Sequence, residues 1–275
     1  MLCCFLLKPM AFVGYYGCLD SFSVQVAPFL LLVAQKMYWT FDRLIVSKGV
    51  VRMSKTKTTS VTCPSCGKDS DFTVWESINT MLDPEMKAKV RDGSAFTFEC
   101  PHCGAKVQVE YDCLYHQMED RMMIHYASSD QSAEDLYKFF TGVVPSDMFT
   151  EFRKGGYLIR IVRSMNQLLE KLMIFDHGLD DRMIEICKLF ILMKLQEENR
   201  DKDYDLLYFF NEGKHYMEVF DDGKAIGKTE FSQDFYEKIR DEIGKDMPEI
   251  RKDDIIIDRQ WALERLQHNS ERNRS

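Results

Sequence analysis

Two copies of one pentapeptide carry the clearest chemical potential in this chain: Cys63-Pro64-Ser65-Cys66-Gly67 and Cys100-Pro101-His102-Cys103-Gly104. Each can set two thiolates on one tight turn, and two such turns can complete a tetrahedral shell around one Zn²⁺. The proline pre-sets φ. The glycine admits the left-handed backbone that follows the second cysteine and lets N–H groups point back at sulfur. A disulfide pair, a redox Cys-x-x-Cys or four unrelated buried thiols are the plainer readings. The shared proline and glycine favour structural zinc over all three, and no βαβ pattern flanks either copy as a redox motif would require. A single iron in the same Cys₄ shell is the main alternative. A closed shell leaves no position for water or substrate, so the ion is expected to serve architecture, and His102, lying between ligands, to face solvent. Structural zinc is worth about 10–16 kcal/mol in small domains, whereas a whole domain is stable by about 5–15. The ion therefore makes the fold around it.

The flanking sequence supplies the elements that hold these turns. Residues 58–62 read as a strand entering the first turn, and the alternation over 72–78 reads as a strand leaving it. Asp83-Pro84-Glu85 gives a helix start, with Asp83 as N-cap and the helix running to about Arg91, before Asp92-Gly93 turns the chain. Residues 95–99 return as a strand into Cys100. Residues 105–111 leave as another, with Val107 and Val109 on one face. The pattern is a zinc ribbon with a helical insertion between its hairpin halves.

These residues resemble the CpXC-domain proteins of bacteria, a family marked by the paired Cys-Pro-x-Cys motifs. The likeness takes in Leu82-Asp83-Pro84-Glu85, the following Leu114-Tyr115-His116, a strand over 122–126, and the segment 160–188. The cysteine motifs are its specific part. The resemblance implies a zinc-ribbon-like domain with Cys63, Cys66, Cys100 and Cys103 on the metal, and it brings no catalytic residue.

Other candidates are weaker. His116 and His125 share neither a helical face nor a knuckle, so structural histidines are expected rather than ligands or a base. Cys113 is expected to be a semi-buried small residue. Asp180-Asp181 invites a metal or catalytic reading, but acidic residues at a helix start cap free N–H groups and complement the dipole. The methionines of the helix that follows are expected to fill core.

The remaining periodicity predicts a helix over 131–140, capped by Asp130 or Ser132 with Leu136, Phe139 and Phe140 on its apolar side. A strand over 157–162 follows, then helices over 164–176 and 180–199 separated by His177-Gly178. In the second of these, Met183, Ile186, Cys187, Phe190 and Met193 recur at helical spacing. Ile184, Leu189, Ile191, Leu192 and Leu195 widen the stripe, so burial on two sides is expected. Strands over 206–210, 215–220 and 225–231 form a meander turned by Asn211-Glu212-Gly213 and Asp221-Asp222-Gly223. A helix over 232–243 sets Phe235, Ile239 and Ile243 toward that sheet, and a last segment, 255–266, ends helical. The class is α+β: a CpXC zinc-ribbon-like domain with packed helices over 53–200, and a β-meander and helix over 201–275.

The formal charge is −8, and after residue 52 the chain holds 31 basic and 42 acidic residues, a balance of −11. That opposes attraction to phosphate backbones and disfavours nucleic acid as a partner; Lys55, Lys57 and Lys68 with Phe72 and Trp75 are a thin version of such a surface. Of nine cysteines, Cys113 and Cys187 are unmatched after residue 52. Free thiols beside a thiolate site point to a reducing, cytoplasmic setting. Residues 1–52 are apolar and aromatic without amphipathic period, too broken for a membrane span and without signal-peptide features. They are expected to be an over-extended reading frame, translation starting at Met53, with a weak membrane-associating segment as the alternative. With no phosphate loop, nucleophile elbow or His-x-x-x-His pair, the expected function is a non-catalytic zinc-stabilised module that binds protein. A nucleic-acid-binding ribbon or an enzyme with structural zinc is the alternative.

Overall fold

The computed structural model describes residues 54–141, 147–198, 202–243 and 254–272. The expectations for residues 1–52 lie outside these. The fold is α+β, as the sequence patterning predicts.

Strand β1 (Lys55–Thr62) is Lys/Thr-rich, its β-branched threonines suited to a pleated surface. It pairs antiparallel with β2 (Asp69–Asn79), from Lys55 opposite Ser77 to Thr62 opposite Asp69. The hairpin loop that joins them is the first cysteine turn. Helix α1 (Met86–Arg91) follows, buried through Met86 and Val90. Its N-cap is Glu85 rather than Asp83. Asp83 and Pro84 instead form a preceding turn whose carbonyls accept from the Met86 and Lys87 amides at 3.0 and 3.2 Å. Residues 94–96 make a 3₁₀ turn, which shortens the returning strand β3 to Thr97–Glu99. It pairs antiparallel with β4 (Lys106–Gln108), and the second cysteine turn closes this hairpin.

Strand β5 (Cys113–Gln117), which the sequence reading did not assign, lies parallel to the end of β2 and antiparallel to β6 (Met122–Tyr126). β7 (Leu158–Val162) runs parallel to β6 and completes a mixed sheet of order β1-β2-β5-β6-β7. Successive side chains alternate across it. Cys113, Tyr115, Met122, Ile124, Tyr126 and Val162 join a core with Met86, Val90 and Phe96. On the other face, His125 meets Phe140 of α2 (Asp130–Thr141), and His116 meets Phe152 of α3 (Asp147–Lys154). The cap of α2 is Ser129, whose Oγ accepts from the Ser132 amide at 3.1 Å, and Phe139 is exposed rather than core.

Helix α4 (Met165–Asp176) starts on Ser164, whose Oγ accepts from the Gln167 amide. It ends where Gly178, at φ 67°, lets the Leu179 amide return to the Ile174 carbonyl. Helix α5 (Asp181–Glu198) is buried on two sides, with Met183, Ile184, Ile186, Cys187, Leu189 and Leu192 enclosed. Met193 departs from the expected stripe and is exposed. Strands β8 (Tyr204–Asn211), β9 (Lys214–Asp221) and β10 (Lys224–Glu230) form the meander in the order β10-β9-β8. Glu212-Gly213 and Asp222-Gly223 take positive φ at both turns, as two-residue hairpins require. Helix α6 (Gln233–Ile243) packs chiefly against α5, in a cluster it shares with the meander, its Tyr236 hydroxyl accepting from the Asp180 amide at 3.0 Å. Helix α7 (Arg259–Arg272) packs on α5 through Trp261 and Ala262. One hydrophobic cluster runs from Ile174 to Ala262 and so joins α5, the meander, α6 and α7.

Candidate metal centre

The two cysteine turns are built alike. In the first, the Cys63 amide donates to the Lys68 carbonyl at 3.0 Å and the Gly67 amide returns to the Cys63 carbonyl at 2.8 Å. In the second, the Cys100 amide donates to the Ala105 carbonyl and the Gly104 amide to the Cys100 carbonyl, both at 2.8 Å. Gly67 and Gly104 hold φ of 68° and 73°, the left-handed region that a side chain resists. Each hairpin's strands fix the spacing, so each turn delivers its two thiols in one direction.

The four Sγ atoms lie within 4.8 Å of one another, and among the described residues theirs is the one cluster of three or more such groups that could hold a metal ion. Cys63 lies 3.6 Å from Cys103, and Cys66 lies 3.7 Å from Cys100, so the closest sulfurs come from opposite turns. A tetrahedron with metal–sulfur bonds of about 2.3 Å has an edge of about 3.8 Å, and these two separations match it. Cys63 and Cys100 are buried on Phe98, with Val61, Phe72, Val107 and Val109 beside them, while Cys66 and Cys103 are exposed. N–H groups of Cys66 and Ser65 pull the Cys63 thiol down to about 6. The Ala105 amide alone would lower Cys103 too, but desolvation and the three neighbouring sulfurs push it up to about 12.

Residues 61–188 match the family model described as CpXC protein. This segment is a CpXC domain. No curated protein and no solved structure matches the chain. The matched span starts before the first turn and ends within α5, so it takes in β2 to β7 and α4 as well as the metal cage.

The other candidates fall elsewhere. His102 is exposed, as expected for a residue between ligands. Cys113 is fully buried in the main core, where desolvation pushes its thiol up, and it is not part of the cage. His116 is 1% exposed, and neither ring nitrogen has a hydrogen-bond partner. It is therefore structural but not satisfied. Desolvation lowers His116 and His125 to about 4 each. Of the acidic pair, Asp180 behaves as a cap, accepting from the Arg182 amide at 2.9 Å. Asp181 does something the sequence reading missed: it is buried against Arg160 and Lys171. Lys171 continues to Glu185, Glu185 to Lys188, and Lys188 to Glu170, an alternating network enclosed between α4, α5 and β8. Trp75 is half-buried against the main core, and Lys55 is paired with Glu76.

Proposed function

We propose that Cys63, Cys66, Cys100 and Cys103 hold one structural Zn²⁺, and that the chain is a non-catalytic module whose zinc-ribbon-like hairpins support protein–protein binding. The observation that carries this reading is the four-sulfur cage itself. Soft thiolates in a tetrahedral set suit zinc, with iron as the alternative ion, and four protein ligands leave no coordination position for a reacting molecule. The bound ion would supply architecture by neutralising thiolates and joining two hairpins whose common cluster rests on Cys63, Phe98 and Cys100. A protein partner is favoured over nucleic acid by the acidic balance and by the neutralisation of Lys55. Among the described residues no helix is long and apolar enough to cross a membrane. The buried free thiols of Cys113 and Cys187 suit a reducing, cytoplasmic setting in a bacterium.

Metal analysis tests the assignment. The purified protein is expected to hold one zinc per chain, lost in Cys66→Ser and retained in His102→Ala. Full zinc content in Cys66→Ser would reject the ligand set, and stoichiometric iron in its place would reassign the ion.

A further inference from the structure

The meander's two edges are treated differently by the fold. Along β8, outward amides are already taken: Tyr208 donates to Glu170 Oε1 at 2.5 Å and Phe210 to Met173 Sδ at 2.9 Å, both from α4. Strand β10 has no such cover. All seven of its residues are exposed, and among the described residues no strand lies on its outer side. Such an edge presents a row of unpaired backbone groups to another chain. Beneath it runs a groove of about 780 Å³ with Phe190, Leu195, Phe231 and Phe235 in its walls and Ile226, 55% exposed, at its lip.

We propose that β10 is an isologous interface, pairing antiparallel with β10 of a second copy of this chain about a two-fold axis at Thr229. The charges choose this occupant. A bulge between Ala225 and Gly227 interrupts the first half of the strand, so pairing falls on the regular half, Gly227 to Glu230. There Lys228 and Glu230 lie on one face, opposite Glu218 and Tyr216 of β9, with Thr229 on the other. In an antiparallel self-pair centred on Thr229, each copy's Lys228 stands across from the other's Glu230, and Thr229 meets Thr229. Opposite charges and threonine pairs both favour directly opposed positions. Gly227 falls across from the second copy's Phe231 and leaves room for it. The two grooves then adjoin across the axis, where each Ile226 is removed from water. Two three-stranded sheets become one of six, and residue i meets j as j meets i, the condition for a closed dimer.

The test uses sedimentation of the full chain from about 1 to about 100 μM, the range in which interfaces of modest area associate. The wild type is expected to pass from monomer to dimer. Lys228→Glu and Glu230→Lys are each expected to weaken association at least tenfold, since each sets like charges across the axis. The double swap restores opposition and should recover dimers, and mixing the two single variants should yield a heterodimer. Wild-type protein that stays monomeric throughout would overturn the proposal. So would dimers indifferent to both single changes, or single variants that fail to rescue each other.

Discussion

Arg160 grips Asp181 through two parallel hydrogen bonds, Nε to Oδ2 at 2.7 Å and Nη2 to Oδ1 at 2.8 Å, with both side chains no more than 3% exposed. The pair joins β7 to the first turn of α5, linking the mixed sheet to the helical layer. Burial alone would raise the Asp181 carboxyl, but Arg160 and Lys171 outweigh it and hold the acid below the usual carboxylate range. A buried pair is weak evidence of net stability, yet removing one partner strands the other. Asp181→Asn is therefore expected to cost about 3–5 kcal/mol, read as a lower urea midpoint at unchanged slope. A cost under about 1 kcal/mol would show that the pair is solvated in solution. Because the folded-state carboxyl is depressed, this stabilisation is complete above about pH 4 and fades as pH falls below it.

The cysteine cage was legible in the sequence because its chemistry is local: Cys-Pro-x-Cys-Gly specifies a turn, two ligands and a left-handed residue within five positions. The meander was legible for the same reason, through Glu212-Gly213 and Asp222-Gly223. The charge network was not. Glu170, Lys171, Glu185 and Lys188 sit at helical positions that, read singly, belong on a wet face. Only the tertiary apposition of α4, α5 and β8 shows that they satisfy one another. Strand β5 was hidden likewise, since its parallel partner β2 lies a whole insertion away. Tyr236 points to the limit of periodicity: the expected face of α6 was nearly right, but it docks chiefly on α5, within a cluster that also holds meander residues.

His116 makes the fold acid-sensitive. Its imidazole lies between Phe152 and Tyr157 with both nitrogens unpartnered, and desolvation lowers it to about 4, with nearby Glu119 opposing only in part. His125, on the same face of the sheet, is lowered to about 4 as well, by desolvation and by His116. The unfolded chain then binds protons that the folded chain refuses between pH about 6.5 and about 4. Stability present at pH 7 is lost as pH falls through that window, by up to about 3 kcal/mol for a group shifted this far. His116→Leu removes the unpartnered polar atoms and is expected to flatten the pH dependence of the melting temperature between pH 7 and 5. An unchanged slope would assign the sensitivity elsewhere.

Gly67 and Gly104 offer a test of the turns apart from the sulfurs. A Cβ at either position meets nothing within 4 Å, so an alanine there is opposed by backbone strain and not by crowding. Gly67→Ala and Gly104→Ala are each expected to cost about 1–2 kcal/mol and to weaken metal retention in a competition with a chelator. Similar losses at both sites are expected because the two turns share φ and hydrogen bonding.

Chelation should unfold the molecule unevenly. Among the described residues, the cluster under the cage contains three that are buried, Cys63, Phe98 and Cys100, whereas the core shared by α5, the meander, α6 and α7 contains nineteen. So few buried side chains do not offset the ordering of two hairpins, and the proposed metal ligation would supply the difference. Stripping the proposed ion is expected to raise amide exchange in β3, β4 and the Cys63 end of β1 and β2 toward the rate of an open chain. β8 and β9 stay protected, because β8 contacts α4 and α5 and β9 is paired along β8. Hydrogen exchange with and without chelator reads this directly. Uniform loss of protection would show that the cage supports the whole fold, and no loss in β3 and β4 would show that the hairpins stand without a metal.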